Sequence, residues 1–317
     1  MKAAVIHEFG QTPRYEDFPD PVPAEGETLV RVQAGVLENF DKVTALGTHY
    51  SSKHLYPAFP AIVGRDGIGL TEDGRLVGFG GLKPPYGSFA EKAAVGRVIP
   101  LPEGIDPAEA AAMPRSVLTC LLALKYSARL QPGDTVLVNG ATGVSGRMSV
   151  QLARMLGAGK VVGTGRNEKS LALLSSLGAD SVIPLPQPDE VLAEAFTKEG
   201  PYDVVIDFLW GHPTEVLLNT FIPNFAGFPR RQIRYVQIGD KAGSHISIPA
   251  PVLRTSGVAM MGMGVISNEV LATEMEFVWK GIQEKRFFME IERIPLADIS
   301  KAWERTDLDG KRLVIIP

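Results

Sequence analysis

Apolar and polar positions along this chain follow two different patterns. Over residues 1–100, short apolar runs are broken at close intervals by Gly and Pro, and Lys2–His7, Thr28–Ala34, Ala61–Leu70, Arg75–Phe79 and Ser88–Ala94 read as strands. Short strands punctuated by turn residues predict a small β-barrel or sandwich. From Thr135 the pattern becomes a strict alternation. Strands are predicted at 135–138, 160–164, 181–183, 203–209, 233–239 and 257–263, with helices near 144–156, 168–177, 188–198 and 213–222 between most of them. Such alternation predicts an α/β fold with a parallel, doubly wound sheet.

The flanking segments complete the picture. Asp106-Pro107-Ala108-Glu109 opens a helix, with Asp as N-cap, Pro at the first position and Glu at the third. That helix meets Pro114, and another follows over Ser116–Ser127. An amphipathic segment, Asn268–Lys285, leads to Met289–Ile294, a helix near Ala297–Arg305 and a last strand, Arg312–Ile316. The tail is expected to rejoin the N-terminal β region. The β-rich domain is then discontinuous, 1–113 with 286–317, around a doubly wound domain over 114–285.

The run VNGATGVSG, residues 138–146, joins the strand ending at Val138 to the helix beginning near Val144. Gly140, Gly143 and Gly146 stand three apart. Strand, glycine turn and helix N-terminus together make a phosphate cradle. Glycine lets the backbone approach a pyrophosphate, and first-turn N–H groups and the helix dipole face the anion. Glycine triplets also occur in ordinary turns; the β–turn–α order is the context that this motif requires. Gly140, Ala141, Thr142, Gly143, Val144 and Ser145 are therefore the candidate phosphate contacts.

The next strand bears on the cofactor. An NAD-binding unit usually carries Asp or Glu at its tip, about 20 residues past the glycines, to hold the ribose 2′-hydroxyl. Here the strand ends in Gly165-Arg166-Asn167, with Lys169 nearby and no acid. A carboxylate would repel a 2′-phosphate, whereas a guanidinium binds one in bidentate fashion. The expected cofactor is NADPH; the other reading of Arg166 is a solvated loop cation.

Composition narrows the class. A chain of 317 residues with 45% hydrophobic content has room for two domains and sizeable cores. The net charge of −4 gives no reason to expect a nucleic acid or an acidic membrane as partner. The one cysteine, Cys120, cannot form a disulfide within the chain, which fits a reducing cytoplasm. The opening MKAAVIHEFG lacks the long apolar core of a signal peptide, and no segment reads as membrane-spanning.

With those residues in view, the chain resembles the medium-chain dehydrogenase/reductases, in the zinc-free branch of quinone oxidoreductases and enoyl reductases. The resemblance is carried by MKAAVIHEFG, RVQAGVLENFD, PAIVGRDGIG, YGSFAEKAAV, LQPGDTVLVNGATGVSG, LGADSVI, DVVIDFLWG and GKRLVIIP, in that order. It implies a GroES-like β-rich catalytic domain and a Rossmann domain, with the active site in the cleft between them. Zinc enzymes of the family place a Cys just after the AGV strand and a His-Glu pair in the segment matching GRDG. Here Leu37-Glu38-Asn39 and Arg65-Asp66 stand there, and the four-cysteine lobe is missing. Catalytic zinc needs three protein ligands from Cys, His, Asp or Glu, so no metal site is expected. His49 and His54 read as part of a polar loop, and Arg65 and Asp66 as a mutual pair.

The resemblance also suggests roles. Asn39, Asp41 and Tyr50 fall where this branch keeps polar residues lining its cleft, although ENFD holds one residue more than the usual segment. A tyrosine hydroxyl can bond a substrate carbonyl and donate a proton after hydride attack; alternatively Tyr50 packs its ring and exposes its hydroxyl. Thr119, in MPRSVLTCLLAL, matches a helix whose Thr lies near the nicotinamide, or else faces the core. Ile238 and Gly239 end a sheet strand and could line the nicotinamide with their backbone. Met260, Met261 and Met263 read as core or dimer interface rather than cofactor contacts. Gly257–Gly264, an apolar edge strand, suggests a homodimer.

The expected activity is zinc-independent, NADPH-dependent hydride transfer to a small-molecule quinone or α,β-unsaturated carbonyl. Two alternatives stand beside it: reduction of enoyl thioesters, and a catalytically idle NADPH-binding sensor or scaffold.

Overall fold

The first hundred residues form the strands β1 (Lys2–Ile6), β2 (Arg14–Asp17), β3 (Thr28–Leu37), β4 (Ala61–Ile62), β5 (Gly67–Leu70), β6 (Leu76–Phe79), β7 (Lys92–Val95) and β8 (Val98–Pro100). The computed structural model describes residues 1–224 and 231–317. The predicted strand Ala61–Leu70 is two strands, because the chain turns at Gly64 (φ +92°). A Cβ at Gly64 would lie 2.7 Å from the Phe89 ring, so only glycine fits this bend. The predicted strand Ser88–Ala94 begins its ladder later, at Lys92, because Phe89 bonds instead to Ala4 and Val63. Two short helices, α1 (Asn39–Ala45) and α2 (Ser52–Leu55), interrupt the strands, and α3 (Pro107–Ala112) has the expected cap: the Asp106 carboxylate accepts from the N–H groups of Ala108 and Glu109, both at 3.0 Å.

The chain divides into two units, Met1–Pro114 with Trp279–Pro317, and Arg115–Val278. The second begins in α4 (Pro114–Leu122), which continues as a π-helical turn over Ala123–Ser127. Its strands are β9 (Thr135–Asn139), β10 (Lys160–Gly165), β11 (Ser181–Pro184), β12 (Val204–Asp207), β13 (Ile233–Gln237) and β14 (Val258–Met261). They alternate with α5 (Val144–Met155), α6 (Glu168–Ser176), α7 (Asp189–Glu199), α8 (Gly211–Thr220) and α9 (Ala250–Thr255). Every pairing is parallel, in the order β11-β10-β9-β12-β13-β14. Numbered within the unit, that is 3-2-1-4-5-6, the order of dinucleotide-binding sheets. The order reverses at the β9–β12 neighbours, so their carboxyl ends mark the place where such sheets take ligands. Leu137, Val162, Ile183, Val205, Leu217 and Tyr235 form its core, all at most 1% exposed.

The helix α10 (Asn268–Gln283) leads to β15 (Ile291–Pro295), α11 (Ile299–Glu304) and β16 (Arg312–Ile316). The last strand lies antiparallel to β3, with Val314 opposite Val36, so the carboxyl terminus is sewn into the N-terminal unit. Ile6, Leu37, Val63, Phe89, Leu313 and Ile315 bury one core there. Each fully buried aliphatic or aromatic side chain contributes about 1.5–3 kcal/mol. Among the described residues no helix is long and apolar enough to cross a membrane.

Candidate functional site

The glycine run assigns a different task to each of its glycines. Gly140 follows β9 with φ +88°, the left-handed turn that aims the chain back toward α5. A Cβ at Gly146 would collide with the Gly140 carbonyl, so this glycine lets α5 pack against the strand end. Gly143 differs: it is exposed, and a Cβ there would meet nothing within 4 Å. It is also the N-cap of α5, with no side chain bonded to the first-turn N–H groups. Backbone donors at a helix N-terminus, with open space before them, form a site suited to an anion. Ala141 is fully buried, and the Thr142 side chain lies against Gly165.

The loop is braced from the adjacent strand. The Gly140 N–H donates to Thr164 Oγ1 at 2.9 Å, and the Ala141 N–H to the Thr164 carbonyl at 2.8 Å. Beyond Gly165, Arg166 and Lys169 are exposed and make no ion pair among the described residues. Asn167 has another duty: its Oδ1 accepts from the Ser170 N–H at 3.0 Å and caps α6. At the carboxyl ends of β13 and β14 lies a cavity of about 540 Å³, lined by Trp210, Gln237, Ile238, Gly239, Met260 and Met261 among others. Met260 also packs on the core, and Met261 is 37% exposed. Two of the methionines thus line the cavity beside Ile238 and Gly239, a place their apolar run alone did not indicate. Thr119 sits half-buried on α4, and Cys120 donates its thiol to the Ser145 carbonyl at 3.2 Å.

In the β-rich unit, Asn39 begins α1 and Asp41 caps it. The Asp41 carboxylate accepts from the Glu38 N–H at 2.8 Å, and Asp41 is 2% exposed. Arg65 turns toward Glu38 (3.6 Å) and Asp41 (3.8 Å), where the sequence suggested a pair with Asp66. Its guanidinium lies 3.8 Å from the Phe40 ring centroid, and Arg312 reaches Glu38 at 3.2 Å. Two carboxylates and two guanidiniums thus neutralise one another at the start of α1. Burial, and then the Asp41 charge, push the Tyr56 hydroxyl well above its usual range. Tyr50 is 95% exposed, with its ring centroid 4.1 Å from that of His49. His49 bonds Ser51 Oγ at 2.8 Å, and His54 is exposed on α2. Among the described residues no three His, Cys, Asp or Glu side chains converge as a metal site would require.

Sequence reasoning missed Asp207, at the end of β12. It is completely buried and accepts from five donors on neighbouring elements. A polar residue closing an apolar strand, VVIDF, was the available signal.

Residues 145–220 match the family model described as Zinc-binding dehydrogenase. The match lies in the Rossmann-type unit, away from the Leu37–Asn39 and Arg65–Asp66 segments. The "Probable NADPH-dependent quinone reductase tdiC" of Emericella nidulans is 27% identical over 364 aligned residues that cover all of both chains. The quinone oxidoreductase of Rattus norvegicus is 32% identical over 226 residues, 66% of each protein. The quinone oxidoreductase of Thermus thermophilus, solved also in complex with NADPH, superposes with a TM-score of 0.75 at 27% identity, covering all of both chains. Together with the sheet order and the glycine run, these similarities show that the chain belongs to the medium-chain dehydrogenase/reductase superfamily, in its quinone oxidoreductase-like branch.

Proposed function

We propose that this protein is a zinc-independent, NADPH-dependent oxidoreductase that reduces quinones or α,β-unsaturated carbonyls. The observation that carries the reading is the pairing of an open, uncapped helix N-terminus at Gly143 with two exposed cations that follow the next strand, Arg166 just past its tip and Lys169 in the first turn of α6. One accommodates a pyrophosphate, and the other suits a 2′-phosphate. Gly140, Ala141, Thr142, Gly143, Val144 and Ser145 would hold the pyrophosphate mainly through backbone groups. Arg166 and Lys169 would take the 2′-phosphate, while Asn167 serves by capping α6. Thr119, Ile238 and Gly239 would meet the nicotinamide. The names of the relatives from Emericella nidulans and Thermus thermophilus support the same cofactor.

NADPH, when bound, supplies the hydride. The chain's own contribution is to bind, orient and protonate. Tyr50, exposed at the end of the Phe40–His49–Tyr50 ring series, is the proposed donor to the substrate carbonyl oxygen, with water as the other proton source. Asn39 is the second polar contact. Asp41 acts through Arg65, with which it pairs at 3.8 Å. The GroES-like unit, which is Met1–Pro114 with Trp279–Pro317 where the sequence suggested 1–113 with 286–317, supplies these residues, and Arg115–Val278 holds the cofactor. The same reading includes a homodimer joined through β14 and a cytoplasmic home.

Fluorescence titration with both reduced cofactors tests the assignment. Charge-assisted bonds contribute roughly 1.5–3 kcal/mol each, so NADPH should bind about ten- to a hundred-fold more tightly than NADH. Arg166→Ala should remove most of that preference. Equal affinities in the parent, or a preference untouched by Arg166→Ala, would refute it.

A further inference from the structure

Asp207 has no part in the chemistry above, yet it is the most heavily bonded carboxylate near the cofactor loop. It is 0% exposed. Its Oδ1 accepts from Asn139 Nδ2 and the Leu209 N–H, both at 2.9 Å. Its Oδ2 accepts from Tyr235 hydroxyl (2.5 Å), Thr214 Oγ1 (2.8 Å) and the Trp210 N–H (3.2 Å). The donors come from β9, β13, α8 and the turn after β12. Register places Asp207 beside Asn139, at the carboxyl ends of the two strands where the sheet order reverses.

Two routes lead out from this carboxylate. Asn139 Oδ1 accepts from Thr164 Oγ1 at 2.8 Å, and Thr164 Oγ1 accepts from the Gly140 N–H at 2.9 Å. One chain of hydrogen bonds therefore runs from Asp207 to the first glycine of the phosphate loop. In the other direction, the Asp207 main-chain carbonyl accepts from the N–H groups of Ile238 (2.8 Å) and Gly239 (3.2 Å). The Leu209 and Trp210 N–H bonds hold a turn in which Trp210 adopts φ +54°, a conformation costly for a tryptophan. Leu209 in turn covers Gly140: a Cβ there would lie 2.9 Å from Leu209 Cδ2. A buried charge costs stability unless it is fully bonded, whereas a fully satisfied polar network rigidifies what it joins.

We propose that Asp207 is a positioning residue for the dinucleotide, holding the 139–143 loop and the Ile238–Gly239 edge at a fixed spacing. The proposal rests on the NADPH reading above. Tyr235→Phe and Thr214→Val each remove one donor with little change of shape, and Asp207→Asn puts a donor where an acceptor is needed. Leu192→Ala serves as the control, since Leu192 is buried on α7 in the same unit and its apolar side chain takes no part in the hydrogen bonds of either route. Thermal midpoint and NADPH dissociation constant are measured for all four variants.

Tyr235→Phe and Asp207→Asn are expected to weaken NADPH about tenfold. NADH should weaken by the same factor, because the 2′-phosphate contact is untouched. Leu192→Ala should lower the midpoint at least as much and leave the dissociation constant unchanged. If Asp207→Asn does not fold, Tyr235→Phe and Thr214→Val decide the matter. Unchanged NADPH affinity in the folded network variants overturns the proposal. So does affinity that falls equally in Leu192→Ala, since the effect would then be one of stability alone. Parent protein that binds no NADPH removes the cofactor reading itself, and this proposal with it.

Discussion

At the residue scale, what the sequence made legible was what depends on local spacing. Gly140, Gly143 and Gly146 could be read as a loop because turn, open approach and helix packing each need glycine at a fixed offset. The acid-free tip at Arg166 was equally visible. Asp41 was not, because its use as a cap of α1 depends on a helix of only seven residues with no apolar period to announce it. Asn167, a candidate phosphate contact in sequence, also caps α6 in the fold through its Oδ1. Arg65 reads as the partner of its neighbour, yet its charge is met by Glu38 and Asp41 at the start of α1, an element distant in sequence. Tyr50 carries the sharpest prediction at this scale. General-acid assistance is worth about 10²–10⁴ in rate, and quinones need less protonation than enones. Tyr50→Phe should therefore lower kcat/KM for enones strongly and for quinones much less. Parent-like kcat/KM on every enone tested would remove Tyr50 from the mechanism.

At the element scale, long periodic elements were legible and short ones were not. The helices α5, α6, α7 and α8 and the parallel strands stand within a few residues of their predicted bounds. The short helices α1, α2 and α9 went unseen because their burial is set by tertiary neighbours rather than by period. The edge strand β14 and the residues after it expose Met261 (37%), Met263 (39%) and Val265 (106%). An open apolar edge invites pairing, and a two-fold axis closes it. Light scattering should give a dimer mass for the parent and a lower mass for Met261→Lys. A monomeric parent at micromolar concentration contradicts the dimer. A second element-scale prediction concerns His212 on α8, which bonds Asp189 at the start of α7 at 2.8 Å. The Asp189 carboxylate, aided by Glu215, raises the His212 pKa above its usual 6.5. Stability from the charged imidazole is then fully present below the unfolded value and is lost as pH rises through the folded one. The pair is largely exposed, so the effect is small. The thermal midpoint of the parent should exceed that of His212→Gln at pH values below the unfolded pKa, and the gap should close as pH rises through the raised folded one. A gap that widens with pH would show the sign to be wrong.

At the scale of the whole molecule, two patterning regimes and a strict β/α alternation foretold an α/β fold with a β-rich part and a doubly wound part. The sheet order could not be read from pattern alone, since it depends on which faces the crossovers cover. Its 3-2-1-4-5-6 arrangement brings the ends of β9 and β12 together, and with them Asn139 and Asp207, which lie 68 residues apart in sequence. That juxtaposition is what turns a glycine-rich turn into a braced loop. In the proposed function this chain transfers hydride from NADPH to an electrophilic carbon without a metal. The most direct measurement follows oxidation of NADPH and of NADH against a panel of quinones, enones and enoyl thioesters, with and without a strong chelator. Quinones or enones should turn over with NADPH, at least about tenfold more efficiently than with NADH, and at a rate unchanged by the chelator. No oxidation with any acceptor, equal use of NADH, or loss of turnover on chelation that zinc restores would contradict the claim.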